Sequence, residues 1–579
     1  MFRTKHFLRM SHLDRRTFLT LGTKPHQPSP ATADQTLERL PAALEQKLAL
    51  RAAGPPTSGL TKYTGPWTRD EAIHLTRRAL LGPVKADVDY FLGKTMEDAV
   101  NEILYAPFVP PAEPVNDYNN PDYTDPEVPF GASFLNASYD PGAEFYRAES
   151  VRAWWVRQMM GSDRSIREKM TLFWHNHVPV QFYETQFGSM LYRYNKTLRE
   201  NALGNFKTLL RAITLDPAML FYLNGYLNSK FAPDENYGRE IQELFVIGKD
   251  LPAYFTEDDV KAAARLLTGW RTDGFSVFFF ANEHDTANKQ FSAFYNNRLI
   301  QGRSGPGAGD AELDDFLDML FEQPEAARFV CRKIYRFFVF HDIDAQTEQN
   351  IIVPLAQIFR DNNYDILPVL DVLFKSEHFF DILNRGAVIK SPVDMVIGLF
   401  RCFNVQLPGN ADLLDNFFIS LQTAYRMSDM LQIPGDPPNV AGWQAYYQKP
   451  ALDKIWINTG TLPRRGQFTE AMVLYGIFGL NNRAVIDALA WAATLSDPAN
   501  LNALIDESLA LFLGLPVSQA VIDSLKPILL SGLPNESYWT LAWELYEADP
   551  SNEMVAGAVR QRLQAFLWRV LQMEEYQLS

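Results

Sequence analysis

Apolar residues recur with a helical period over most of the chain, and polar pairs at fixed offsets mark where the helices begin. "TRDEAIHLTRRALLG" opens at Thr68 with Glu71 three residues on, the reciprocal pair that satisfies the free N–H groups of a first helical turn, and it predicts a helix carrying His74, Arg77 and Arg78. The pattern from Glu144 to Trp174 is helical again, with Ser165 and Glu168 as a second such pair. "DAELDDFLDMLFEQPEAARFVCRKIYRFFVF" reads as two helices split at Pro324, and Ser391 with Pro392 supplies the cap and first residue of another. Thr256 and Asp259 cap a helix that stops at Gly269–Trp270, and Gly442–Trp443 repeats that ending. Both Gly-Trp pairs read as helix terminations with a tryptophan plugging the core, the alternative being an aromatic wall for a sugar or peptide. The Phe-rich "GFSVFFFANEHDTANKQFSAFY" breaks the helical period and predicts a short β-hairpin over 275–295. The fold class is therefore mainly α, an irregular multi-helix globular fold with a small β-hairpin element.

Two stretches lack periodicity. Residues 1–65 read as a flexible arm, rich in Pro, Ser, Thr and Gly beyond residue 20, with one short helical segment around "TLERLPAALEQKLALRAAG". Residues 107–145 carry many prolines and Asn/Asp turn formers; a loop of this length is a functional lid or disordered, and its interleaved Tyr and Phe favour a packed segment. Residues 66–579 form the helical domain, subdivided near 305 and 480, because its length exceeds the size at which one core stops growing.

The densest polar signal is "PDENYGREIQELFVIG", 233–248. Asp234 can cap this helix and Gly248 can close it in the left-handed conformation. At about 100° per residue, Tyr237, Ile241, Leu244 and Phe245 form the buried stripe, and Asn236, Glu240 and Glu243 share the flank beside it. Glu235 and Arg239 pair on the other flank. Carboxylates that border an apolar stripe need partners, because burial penalises the charged form. "FWHNHVPV" offers them: if 175–178 is extended, as Val178 before Pro179 suggests, His175 and His177 point the same way and Asn176 the other. The competing reading places both histidines at a helix C-terminus, capping carbonyls. His284 and Asp285 in "EHDTANK" form a third, weaker element, since Asp is a common turn former.

Composition narrows the chemistry. Hydrophobic content of 47% and charged content of 21% are ordinary for a globular protein. A net charge of −15 argues against a phosphate-backbone partner. Two cysteines, Cys331 and Cys402, exclude a disulfide scaffold and a Cys-rich zinc site. No apolar run is long enough for a membrane span. "DRRTFL" at 14–19 looks like a twin-arginine export motif, yet charge and proline follow where an apolar stretch belongs, so the export reading stands against a cytoplasmic one.

The motifs "HLTRRALLG", "FWHNHVPV", "ALGNFKTLLRAITLDPAMLFYLNG", "DENYGREIQELFVIG", "FTEDDVKAAARLLTGW", "HDTANK", "VIKSPVDMVIG" and "PPNVAGW", in this order from about residue 68, resemble the bacterial family catalogued as domain of unknown function 1800. His175, Asn176, His177, Glu235, Asn236, Arg239, Glu240, Glu243, His284 and Asp285 fall on motif positions; "ALLG" departs from the usual Ala-Gly-Phe-Gly, and Gly238 stands where Ala is usual. The resemblance implies a periplasmic or exported protein and a co-encoded exported partner. Three functions remain open. One is a hydrolase or lyase on an extracellular polymer, with Glu240 and Glu243 and a histidine dividing acid and base roles, aided by Asn236 and Arg239. Another is a divalent-metal enzyme with His175, His177, a carboxylate and His284 or Asp285 as ligands. The third is a non-enzymatic envelope or partner-binding protein whose polar cluster fixes its packing.

Overall fold

The caps written into the sequence set where the principal helices start. The computed structural model describes residues 56–249, 255–409 and 411–579. Thr68 N donates to Glu71 Oε2 at 2.9 Å and opens the helix Arg69–Ala79. Thr256 N donates to Asp259 Oδ2 at 2.6 Å ahead of Glu257–Leu266, and Ser391 Oγ accepts from Asp394 N at 3.1 Å ahead of Pro392–Cys402. Helices Ala308–Glu322 and Pro324–Phe338 meet at Gln323, where proline enforces the break. The Ser165–Glu168 pair is a correction. Among the described residues Ser165 Oγ accepts from Arg167 N, at 3.2 Å, and from no N3 amide, while Glu168 turns to the Arg199 guanidinium at 2.5 and 3.0 Å. A charged fork outcompetes a backbone amide for that carboxylate.

The architecture is mainly α. Helices Glu144–Met160, Arg167–His177, Gly188–Glu200 and Leu413–Ser428 pack around a core that buries Trp155, Trp174 and Trp443, and the described residues belong to one compact unit. Towards the C-terminus, Leu501–Phe512, Gln519–Leu530 and Glu536–Ala548 pack on Glu553–Leu571, which also contacts Thr461–Leu474. No helix among the described residues is long and apolar enough to cross a membrane.

Strands are few and short. The hairpin expected over 275–295 forms in a different register: Val277–Phe279 pairs backwards with Trp270–Thr272, and Lys289–Gln290 pairs forwards with Leu299–Ile300. The reason lies in "RTDGFS". Asp273 Oδ1 accepts the N–H groups of Phe275 and Ser276 at 2.9 and 2.7 Å, and Gly274 takes φ +94, so Asp-Gly makes the turn.

The long irregular segment 107–145 is packed. Tyr118 is buried and donates to Asp125 Oδ2 at 2.7 Å, Asp125 is gripped by Arg147 at 2.9 and 3.1 Å, and Tyr123 stacks on Tyr146 at 3.8 Å. It borders two open hollows. One of about 490 Å³ lies against Asp412 and Asp415; the other, of about 440 Å³, lies against the helix Gly188–Glu200. The arginine pair at 15–16 and the helical segment expected around 36–54 fall outside the described residues.

Candidate functional site

The helix Arg167–His177 runs through both motif histidines, so the extended reading of 175–178 is overturned. The pre-proline restriction acts on Val178 alone, which ends the helix at φ −127, ψ 63. Two residues apart on a helix means about 200° of rotation, and the imidazoles face different neighbours. His175 Nδ1 lies 3.0 Å from the Tyr194 hydroxyl, which itself donates to Val178 O at 2.8 Å. The ring therefore donates through Nδ1–H, and Nε2 has no partner among the described residues. Trp155, Phe182 and Trp443 enclose it edge-on at 5.1, 6.3 and 5.6 Å. Burial, followed by the charge of Arg152, pushes its pKa down to about 3.

His177 sits among Phe173, Trp174, Phe206, Phe245 and Phe329. It is fully buried, and neither ring nitrogen has a partner of hydrogen-bonding geometry among the described residues. Burial and then Lys333 hold it well below the ordinary imidazole range, opposed by the Phe245 backbone. Asn176 does a different job: its Oδ1 accepts Trp443 N at 2.8 Å. Gly442, at φ +88, is pressed against it so closely that a Cβ would lie 2.3 Å from Asn176 O. Two motifs 267 residues apart thus interlock.

The acidic motif begins as an α-helix, Asn236–Glu240, and continues as a π-helix, Ile241–Val246, before Gly248 turns at φ +85. The wider turn moves the register: Gln242 is buried, receiving Tyr295 OH at 2.8 Å, while Leu244 is only half-buried. The freed carbonyl of Leu244 accepts Lys333 Nζ at 3.1 Å. Gly238 meets Ala264 N and Val260 O at 3.0 and 3.2 Å from where a Cβ would stand, so alanine would crowd the helix Glu257–Leu266 here. Arg239 is on the surface, paired with Glu235 at 3.1 Å and Glu257 at 2.6 Å. Asn236 Nδ2 reaches Leu223 O at 3.3 Å. Glu240 is half-buried, and its Oε2 is enclosed with no partner among the described residues. Burial first, then the charge of Glu243, raises its pKa. Glu240 also acts on the Tyr222 hydroxyl, together with Glu184 and Asp436.

His284 and Asp285 belong to a separate network. His284 Nδ1 lies 2.9 Å from Thr268 O, and its Nε2 lies 3.1 Å from Glu312 Oε1. Glu312 also takes Lys289 Nζ at 2.6 Å and Arg303 N at 2.6 Å, and Asp285 pairs with Arg265 at 2.7 Å. The motif residues are thus distributed. His177 touches the acidic helix through Phe245, on the apolar side; His175 packs against Trp155 and Tyr194; His284 and Asp285 hold the strands near 270–290. Among the described residues, no three His, Cys, Asp or Glu side chains are placed to hold a metal ion. The donors expected for a metal do not meet: His175, His177 and His284 with Asp285 lie in separate arrangements.

Three residues central to these arrangements escaped the sequence reading. Glu312 looks like one more acid on an amphipathic helix, and Tyr194 carries no motif. Asp216 stands in "TLDPAM", where Asp-Pro is the only signal: it caps Pro217–Tyr222, lines the 440 Å³ hollow, and burial raises its pKa to about 7.

With these positions in place, the comparison with known families is decisive for membership. The family described as "Protein of unknown function (DUF1800)" matches residues 74–577. The chain belongs to this family. The match takes in each of the arrangements above, from His74 through Gly442–Trp443 to Gln577. Neither a curated protein nor a solved structure matches the chain.

Proposed function

We propose that this member of the family is an acid–base hydrolase or lyase acting on a polymer outside the cytoplasm, with Glu240 as proton donor and Glu243 as the carboxylate that takes a proton. The observation that carries the reading is Glu240: a half-buried carboxyl with an enclosed, unpartnered oxygen and a raised pKa, next to a second carboxylate. Such a group keeps its proton where an exposed glutamate has lost it, and a carboxyl with a raised pKa beside a second carboxylate side chain is an arrangement that acid–base catalysis uses. The π-helical continuation supports it, because single π turns recur at functional sites. Asn236 and Arg239 flank the pair. His175 and His177, held neutral by burial, position the helices and transfer no proton at neutral pH; His284 and Asp285 brace the strands. Both carboxylates come from one segment, which argues against a mechanism needing acids on opposite sides of a glycosidic bond. The location outside the cytoplasm and a co-encoded exported partner are what the family resemblance implies; the polymer substrate is part of the proposal itself.

Incubation of the purified chain with envelope polysaccharide preparations tests this. Hydrolysis shows as new reducing ends, elimination as ultraviolet absorbance from a new conjugated double bond. Glu240→Gln should lower the rate about 100-fold or more with an unchanged melting temperature. A Glu240→Gln variant as active as the parent would overturn the assignment. A second reading, a non-enzymatic binding protein, is favoured by the Asn176–Trp443 interlock, since motif residues there are engaged in packing. It predicts polymer co-sedimentation, without products, that is equal for the parent and Glu240→Gln.

A further inference from the structure

The hollow of about 440 Å³ against the helix Gly188–Glu200 falls within the range of about 300–1,000 Å³ in which small ligands bind. Four stretches of chain build it. Glu113 and Asn136 come from the packed irregular segment, Arg193 and Lys196 from the helix, Asp216 from the start of Pro217–Tyr222, and Phe275 from just beyond the Asp273–Gly274 turn.

The charges around it are mixed in sign. Lys196 pairs with Glu200, and Glu113 is exposed. An anion here meets Glu113, Glu200 and Asp216, and a cation meets Arg193 and Lys196, so neither finds a field of one sign. The hydrogen-bonding groups have capacity to spare. Arg193 Nη2 reaches Asn136 Oδ1 at 3.4 Å, the long end of hydrogen-bonding distance, and Arg193 Nε is enclosed with no partner among the described residues. Asp216 is buried, and one of its oxygens accepts Ala218 N at 2.9 Å. Burial, opposed by its bonds to backbone amides, raises its pKa to about 7, so near neutral pH it offers a donor as well as an acceptor. Phe275 is half-buried, edge-on to Phe187 at 5.2 Å, with its ring centre 5.9 Å from the Arg193 guanidinium. It sets an apolar ring beside these polar groups.

We propose that this hollow binds a neutral sugar unit of a polysaccharide. Sugar hydroxyls donate and accept at once, which suits the paired atoms of a guanidinium, a carboxamide and a carboxyl, and the C–H face of the ring suits an aromatic side chain. Such a unit brings no net charge to set against the mixed surroundings. Pro217–Tyr222 rises about 9 Å over its six residues, from Asp216 at one end to Tyr222, which feels the charge of Glu240, at the other. The hollow is thereby a distal subsite for the polymer on which Glu240 acts; that role rests on the catalytic reading of Glu240, and the binding itself does not.

Isothermal titration of the full chain with cellohexaose, maltohexaose, laminarihexaose and N-acetylchitohexaose tests it. At least one should bind with a Kd of about 1 mM or tighter, and no binding of any of them overturns the proposal. Hexagalacturonate, which carries charge, should bind about tenfold more weakly or not at all; equal or tighter binding overturns the choice of a neutral ligand. Arg193→Met should weaken binding about tenfold, and Asn136→Ala, which changes an exposed side chain, should weaken it with an unchanged melting temperature. Unchanged affinity in both variants overturns the site. Glu240→Gln should bind as the parent does. Affinity lost in Glu240→Gln yet kept in Arg193→Met would put the sugar at Glu240 and overturn the assignment to the hollow, whereas binding that depends on Arg193 without turnover by the parent would contradict the catalytic reading and uphold this one.

Discussion

His284 and His177 are both buried imidazoles taken from sequence motifs, and they differ in what surrounds them. His284 is bonded at both ring nitrogens, to Thr268 O and to Glu312, whose other oxygen takes Lys289. His177 lies in an aromatic shell with no such bond among the described residues. The difference teaches how to read a motif: polar groups whose bonds are complete hold the fold, and polar groups left incomplete mark where something further is to be explained. By that criterion the His284–Glu312–Lys289 network is frame. The region where His177, Lys333 and the π-helix meet, with Glu240 on its open flank, is the candidate for function.

The largest effect should come from breaking the complete network. Glu312→Ala leaves the Lys289 ammonium buried without its counter-charge and should cost about 3–5 kcal/mol in urea unfolding. A loss under about 1 kcal/mol would show that the network is not the frame. At the other site, His177→Phe removes unpartnered nitrogens from an aromatic shell, and its stability at pH 8 should stay within about 1.5 kcal/mol of the parent. The two should then diverge on acidification. A histidine with a depressed folded-state pKa binds its proton first in the unfolded chain, so stability is full above about 6.5 and falls as pH drops below it. The parent should lose more stability than His177→Phe between pH 7 and 5. Parallel pH profiles would show that His177 is bonded after all. The smallest effect belongs to Arg239→Ala, where the paired acids are exposed: about 1 kcal/mol or less, and smaller still in high salt.

The features legible in the sequence are those decided by a few neighbouring residues. Thr68 with Glu71, Thr256 with Asp259, and Ser391 with Pro392 each satisfy backbone groups within one turn, so spacing alone places them. The hairpin was misplaced for the same local reason. Asp273–Gly274 makes the turn, and the Phe-rich stretch after it supplies the second strand of the hairpin. What was not legible depends on distant partners. The Asn176–Trp443 bond joins segments that no period relates, and Glu312 acquires its role only when Lys289 and His284 fold against it. The π-helix has no signature in residue type, because "IQELFV" would serve an α-helix equally well. It changes which side chains are buried, placing Gln242 inside where Leu244 was expected.

The central claim is that Glu240 holds its proton beyond the ordinary glutamate range because it is half-buried beside Glu243. Carbon-13 labelling of glutamate side chains, with Glu240→Gln to assign the resonance, lets its titration be followed directly by NMR. The account predicts a midpoint above the ordinary value of 4.5 that moves back down in Glu243→Gln. A midpoint at or below 4.5, unmoved by Glu243→Gln, would contradict it.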